Sequence, residues 1–354
     1  MTYKHYILIA LLFLIFTGCQ NQNEAELSTD MQLSLCLPIQ EHVAPKQNRV
    51  MGDPGTTEQF ELPRYVYIIV LKQEGETWSV WRKEERTLKD ADWKRTRYYG
   101  LNTTRGDSIY RYDEKIQYLL IGDRIKGRVF AICSNKRLTF NSSIASISDL
   151  DDVLAWKFST APDSIQENLH NIYSTPYNYE RNGKYYCSFD CSTGTLYSVD
   201  LLMYHIASKV DITWNVDETK RINRTDPTQA VRLTRMDAVN LFNGDAFCFK
   251  PMENTVPTLP ASGKSIQMVT PTDEGLWWEG RSYFYTIPYT VEGTPGYFPL
   301  QMIMQTNDSG DDYKPTLNLS IDTSSPFVPW LRANFMLSKP LAEGEPEAQY
   351  VNEN

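Results

Sequence analysis

The sequence predicts an all-β protein with a minor helical part, laid out as two β-sandwich domains in tandem. Three observations carry that expectation. Apolar and polar residues alternate with a period of two along most of the 354-residue chain, the mark of half-buried strands. The 22 tyrosines and 8 tryptophans suit the pleated surface of a sheet better than a helix. Turn-forming clusters separate the runs without helices alternating between them, which points to sandwiches and away from βαβ units.

The N-terminus reads as an export signal. Lys4 precedes an unbroken apolar run from Tyr6 to Phe16, closed by Phe16-Thr17-Gly18-Cys19. A basic start, an apolar stretch and small residues at the break make a secretory signal peptide over residues 1–18. The run is roughly half of the ~20 residues a membrane-spanning helix needs. Cysteine straight after Thr-Gly is the pattern of a bacterial lipoprotein signal, although Phe16 stands where Leu is usual. Cys19 is then the lipidation site, carrying palmitate and diacylglycerol, and the protein is expected at the outer membrane or cell surface. An ordinary secreted protein with a chance cysteine is the alternative.

The strands follow in order. Met31, Leu33, Leu35 and Leu37 alternate with Gln32, Ser34 and Cys36, giving a short strand with one apolar face. A loop from Pro38 to Leu62 is rich in proline, glycine and polar residues. Tyr65–Leu71 is a continuous aromatic and β-branched run, consistent with a strand buried on both faces. Further strands are expected at Thr77–Arg82, Lys115–Ile121, Arg128–Cys133 and Lys184–Phe189. Ile144, Ile147, Leu150, Val153 and Leu154 recur at helical spacing and predict a helical interlude over Ser143–Tyr173, split by Pro162. The longest alternation runs from Leu202 to Val216 after the turn residues Ser192-Thr193-Gly194. That places a domain boundary there, with an N-terminal domain over 50–194 and a C-terminal one over 195–354. Strands recur at Arg232–Ala238, Arg281–Tyr289, Phe298–Gln305, Thr316–Ile321 and Ala333–Ser338. Glu343–Asn354 is acidic and reads as a frayed tail.

Composition excludes several functions. A formal charge of −9 argues against nucleic acid as a partner, which needs a basic face. With Cys19 lipidated, Cys36, Cys133, Cys187, Cys191 and Cys248 remain, an odd number and no disulfide framework. Neither these nor the four scattered histidines show zinc-ligand spacing, so buried thiols acting as small apolar residues are expected. Gly52-Asp-Pro-Gly55 lacks the Gly-Lys-Ser/Thr of a phosphate loop, and no Gly-x-Ser-x-Gly elbow occurs. His205 reads as a solvent-facing strand residue, and Asp308–Asp312 as a hairpin turn and not a calcium loop. Glu279 beside Trp277 and Trp278 is the one cluster that suggests sugar chemistry, with the tryptophans read as filling a domain seam. The inventory offers no catalytic residue, cofactor site or metal site, so no enzyme is expected.

Met31–Leu71 holds the most informative arrangement: a strand, an exposed loop with Arg49 in it, and a second strand. A cut after Arg49 would release the first strand with the lipid anchor. It would leave an apolar groove between two open sheet edges, a receptor for a strand from another subunit.

Gly52-Asp-Pro-Gly-Thr56 followed by Phe60-Glu-Leu-Pro-Arg-Tyr-Val-Tyr-Ile-Ile69 resembles the opening of fimbrillin-like lipoproteins (type V pilus) of Bacteroidales. Val199-Asp-Leu-Leu-Met-Tyr-His-Ile-Ala-Ser-Lys-Val-Asp-Ile212 resembles their mid-chain. The resemblance covers most of the mature chain. It implies two transthyretin-like β-sandwich domains, lipoprotein export, cleavage after an arginine by a trypsin-like protease, and assembly into a fimbrium by donor-strand exchange.

On that basis Cys19 is the lipid site, residues 19–49 a lipidated pro-segment, Arg49 the processing site and Met31–Leu37 the displaced strand. Lys46 and Arg64 are competing basic sites, with Arg64 held against the next strand. The partners implied are other fimbrial subunits, the outer membrane before processing, and a host or bacterial surface receptor for adhesion. Pro340 and Pro346 cannot donate to a ladder, which tilts the reading toward a tip or accessory subunit over a shaft subunit. Asp107-Ser108-Ile109 and Asp163-Ser164-Ile165 resemble the O-glycosylation acceptor of these bacteria, with Ser108 placed in a polar turn and favoured. The alternative function is a surface glycan-binding β-sandwich lipoprotein with sugar stacked on Trp277 and Trp278.

Overall fold

A computed structural model describes residues 28–38, 61–98, 107–119, 126–175, 180–181, 184–185, 187–190, 198–216, 233–239, 241–250, 266–269, 279–290, 293, 297–306, 316–320, 330–337 and 349–353.

The alternating run near the start forms β1 (Ser28–Pro38), longer than the expected Met31–Leu37. β2 (Tyr65–Glu74) turns into β3 (Thr77–Thr87) through Gly75, whose φ of 64° suits glycine, and the Thr77 hydroxyl donates to the Glu74 carbonyl. β4 (Lys94–Tyr98), β5 (Asp107–Leu119) and β6 (Lys126–Ser134) follow. β5 starts well before the predicted Lys115, because Ser108 to Glu114 carry charge and hydroxyls that hide the strand pattern.

The helical interlude is mostly not helical. A one-turn helix at Ile144–Ser146 and a six-residue helix at Leu150–Ala155 come first, and the Asp149 side chain caps the latter by accepting from the Asp152 N–H. Trp156 ends that helix in extended backbone, its indole N–H donates to the Ser142 carbonyl, and β7 (Lys157–Ser159) takes over. Pro162 has extended ψ, which caps a four-residue helix at Asp163–Gln166. A single turn at Leu169–Asn171 leads into β8 (Ile172–Ser174). The apolar periodicity was a packing pattern for Ile147, Val153, Trp156, Phe158, Ile165 and Leu169, all buried in one cluster.

β9 (Glu180–Arg181) and β10 (Lys184–Tyr185) pair with each other, and β11 (Ser188–Asp190) joins β6. The single strand expected over Lys184–Phe189 is therefore divided between two sheets. The long alternation after Leu202 is divided too. β12 (Ser198–Leu202) pairs with β1, β13 (Tyr204–His205) with β8, and β14 (Ser208–Val216) lies in another sheet. Main-chain bonds pin the two crossings: the Met203 N–H donates to Cys36 O and the Ile206 N–H to Ile172 O. A boundary at Gly194 would sever β12 and β13 from strands they pair with.

β15 (Leu233–Val239), β16 (Asp245–Phe247), β17 (Ile266–Val269), β18 (Glu279–Thr286), β19 (Tyr297–Thr306), β20 (Thr316–Ser320), β21 (Trp330–Leu337) and β22 (Gln349–Glu353) complete the described strands. β22 pairs antiparallel with β21, so part of the tail expected to fray is a strand.

The main sheets have the orders β12-β1-β5-β4, β13-β8-β6-β2-β3, β18-β14-β21-β22 and β17-β15-β19-β20. The first two face each other: Leu33, Leu35, Val199, Leu201 and Ile116 pack against Val66, Ile68, Val70, Val129 and Ala131. The opposite face of β2 (Tyr67, Ile69 and Leu71) joins a second cluster with Trp156, Phe158, Val210, Met236, Phe284 and Met302. β2 is thus buried on both faces, as its unbroken apolar run predicts.

One connectivity occurs twice, which no repeat in the sequence announces. β1 lies between antiparallel β5 and parallel β12, while β14 lies between antiparallel β18 and parallel β21. Likewise β2 lies between β3 and β6, and β15 between β17 and β19, all antiparallel. The molecule is all-β with a minor helical part.

Candidate functional site: the lane of the first strand

β1 is an interior strand supplied by the N-terminal part of the chain. All eleven of its residues are in register with β5, from Ser28 opposite Leu119 to Pro38 opposite Ile109, and Gln32–Cys36 run parallel to Ser198–Leu202. Leu33, Leu35 and Leu37 point into the sandwich and are fully buried. Burying three leucines is worth on the order of 5–9 kcal/mol before the entropy of ordering the strand is subtracted. Without β1 the sheet would present two unpaired edges, β5 and β12, with an apolar trough between them.

The inner rim is clamped to the opposite sheet. Glu114, opposite Leu33 in the register, is mostly buried and accepts from Arg86 of β3 at 3.1 Å and from the Tyr112 hydroxyl. Arg86 also pairs with Glu84 at 2.7 Å. Burial and the Glu114 carboxylate together push the Tyr112 phenol up.

The outer face carries a polar crossing. Ser34 and Cys36 point outward yet are fully buried. Ser34 stands opposite Asp113 on one side and Asp200 on the other. Its hydroxyl donates to Asp113 Oδ1 at 2.8 Å and accepts from Arg111 Nη2 at 2.6 Å. Arg111 Nε donates to Asp113 at 2.7 Å, and its Nη2 reaches over β1 to Asp200 Oδ1 at 3.5 Å. Partial burial works against the Asp113 charge, but the bonds from Arg111 and Ser34 win and hold its carboxyl below the usual range. Beside this crossing, Cys36 packs with Ile109, Leu202 and Tyr204. Burial, reinforced by Asp200 and opposed by Arg111, pushes the Cys36 thiol up to about 12.

The described cysteines behave as small apolar residues: Cys36, Cys133, Cys187 and Cys248 are free and buried. Burial raises the Cys187 thiol to about 11 and lifts Cys133 and Cys248 well above their ordinary value. Among the described residues no group of three or more His, Cys, Asp or Glu is placed to hold a metal ion. His205 is not solvent-facing as expected. It is half-buried, with its ring 4.4 Å from that of Tyr173.

Cys19, Arg49, Lys46, Trp277 and Trp278 lie outside the described residues. Arg64 is described: its side chain is exposed, but its N–H donates to Ser134 O at 2.8 Å and its carbonyl accepts from Leu88 at 2.6 Å. Main chain locked on both sides does not fit a protease cleft. Ser108 is not in a turn. It sits in β5 opposite Arg97 and is half-buried, whereas Ser164 is exposed on the short helix at Asp163–Gln166.

Sequence reasoning missed Arg111, Asp113 and Asp200. Each is an ordinary charged residue on a strand, and only the register of β1 between β5 and β12 brings them to Ser34.

No family model matches the chain, and no curated protein does. Similar solved structures include a fimbrial assembly protein from Parabacteroides distasonis ATCC 8503, at 13% identity and TM-score 0.48, covering 92% of this chain and 96% of that one. A proposed cell adhesion protein from Bacteroides eggerthii DSM 20697 has 11% identity and TM-score 0.46, covering 91% and 95%. Proposed polysaccharide-binding proteins from Bacteroides thetaiotaomicron VPI-5482 have 10% identity and TM-score 0.44, covering 92% and 99%. At these identities and scores the likenesses assign nothing to this chain.

Proposed function

We propose that the chain is a structural and adhesive fimbrial subunit, exported as a precursor lipidated at Cys19, processed after Arg49 and assembled by donor-strand exchange. The observation that carries this reading is the position of β1, an interior strand whose apolar side chains are fully buried and whose only covalent tie to β2 runs through the residues containing Arg49. One cut frees the strand without breaking any other described element. Arg64 does not compete, since its main chain is hydrogen-bonded on both sides.

Two sandwich domains are part of the same reading, with the junction moved from Gly194 to the crossing after His205, because β12 and β13 belong with β1 and β8. The role within the fibre is that of a strand acceptor, as in a tip or accessory subunit. β22 lies beyond Pro340 and Pro346 and is an edge strand, but it has five residues against the eleven of β1, too few to fill a lane of that length. No described residue favours the glycan-binding alternative at Trp277 and Trp278.

Trypsin treatment of the purified precursor tests the proposal. The expected product begins at Val50 and either oligomerises or takes up an added strand. Resistance at Arg49, or a cut chain that does neither, sinks it.

A further inference from the structure

The lane does more than exclude water from three leucines. Its outer face places a guanidinium across the strand, and that guanidinium has room only because residue 34 is small. Ser34 is fully buried beneath Arg111, which hydrogen-bonds Asp113 on one neighbouring strand and forms a longer ion pair, at 3.5 Å, with Asp200 on the other. The hydroxyl is used in both directions, donating to Asp113 and accepting from Arg111. A side chain longer than that of serine or threonine at this point would lift Arg111 away from Asp200. An apolar one of equal size would leave both polar partners without the hydroxyl, and an acidic one would meet two carboxylates in register.

We propose that Arg111, Asp113 and Asp200 read the strand occupying the lane, accepting a partner strand with a small hydroxyl side chain at the Ser34 position. The occupant is a strand of a second subunit. It carries apolar residues at the positions of Leu33, Leu35 and Leu37, and Ser or Thr facing outward between the first two. This rests on the strand-exchange reading and adds to it a rule for which strand is taken and in which register. The apolar face alone cannot supply that rule. Sliding an alternating strand by two residues keeps every leucine position apolar, whereas the crossing is satisfied in one register only.

The test uses the full chain with a specific protease site inserted after Arg49, so that nicking does not depend on Arg49 itself. The nicked protein is challenged with fluorescent peptides of sequence 28–38: native, Ser34→Thr, Ser34→Val and Ser34→Asp. The substitutions sit in the peptides, so the folding of the receptor is untouched. Native and Ser34→Thr peptides are expected to be captured, with Ser34→Val about tenfold or more weaker and Ser34→Asp weaker still. In a chain carrying Arg111→Met the preference between native and Ser34→Val should vanish. Equal capture of native and Ser34→Val by the unaltered receptor overturns the reader. Failure to capture even the native peptide overturns strand exchange itself, a distinct result.

Discussion

Ser34 and Arg111 are 77 positions apart in the chain, yet the Arg111 guanidinium donates to the Ser34 hydroxyl at 2.6 Å. That bond exists only while β1 occupies its lane, so it reports on the state of the strand and on the effect of altering it.

Leu35→Ala removes a fully buried side chain from β1. The expected cost is about 2–5 kcal/mol of precursor stability, the usual range for a core leucine. The same substitution should leave the stability of a chain already processed and separated from β1 unchanged. Urea denaturation of both forms checks this. Equal loss in both would mean that the strand does not depart.

Acid should loosen β1. The Asp113 carboxyl is held below its ordinary value, so its share of stability is full above the unfolded pKa of ~3.9 and is lost as pH falls through the lower folded value. Arg111 on its own strand, Asp200 on β12 and Lys94 opposite Arg111 on β4 are the charges around it. Hydrogen exchange of the β1 amides between pH 5 and about 3 should show protection falling in the native chain more steeply than in Asp113→Asn.

Gly127→Ala should destabilise the fold by about 1–3 kcal/mol, since an overpacked core must shift. A Cβ there would lie 2.2 Å from the Phe189 ring and 2.5 Å from the Leu71 carbonyl oxygen. Phe189→Leu in the same chain is expected to relieve part of the loss, giving a double mutant less damaged than the sum of the two single ones. Thermal melts of the four proteins decide it.

Arg49→Gln should abolish the tryptic product that begins at Val50, while Arg64→Gln should leave the digestion pattern unchanged. The Arg64 backbone is tied to Ser134 and Leu88, so it is not a substrate while the sheet is intact. N-terminal sequencing of the digests distinguishes the two.

Strands were legible wherever burial made the pattern regular. Tyr65–Leu71 could only be a two-faced strand, and Met31–Leu37 announced one apolar face. What was not legible was where the chain changes sheets. Leu202 to Val216 reads as one long alternation, interrupted only at Ser208, although it serves three sheets. The interlude after Ser143 misled in the opposite sense, its helical spacing coming from side chains gathered under β2 from turns, short helices and β7. Of the candidate site, the apolar half was written in the leucines of β1. The polar half depends on parallel pairing between β1 and a strand some half a chain away, and no local pattern encodes that.

That parallel pairing also dictates an order of events. Gln32 finds Ser198, and Leu35 finds Leu201, only after nearly everything between them has been made. The first strand is therefore expected to be among the last to be seated, with a long-range closure instead of any local step limiting folding. Pulse-labelled hydrogen exchange during refolding should find the β1 amides protected after those of the β2–β3 hairpin. During that interval the lane stands open, and any free strand of suitable pattern competes for it.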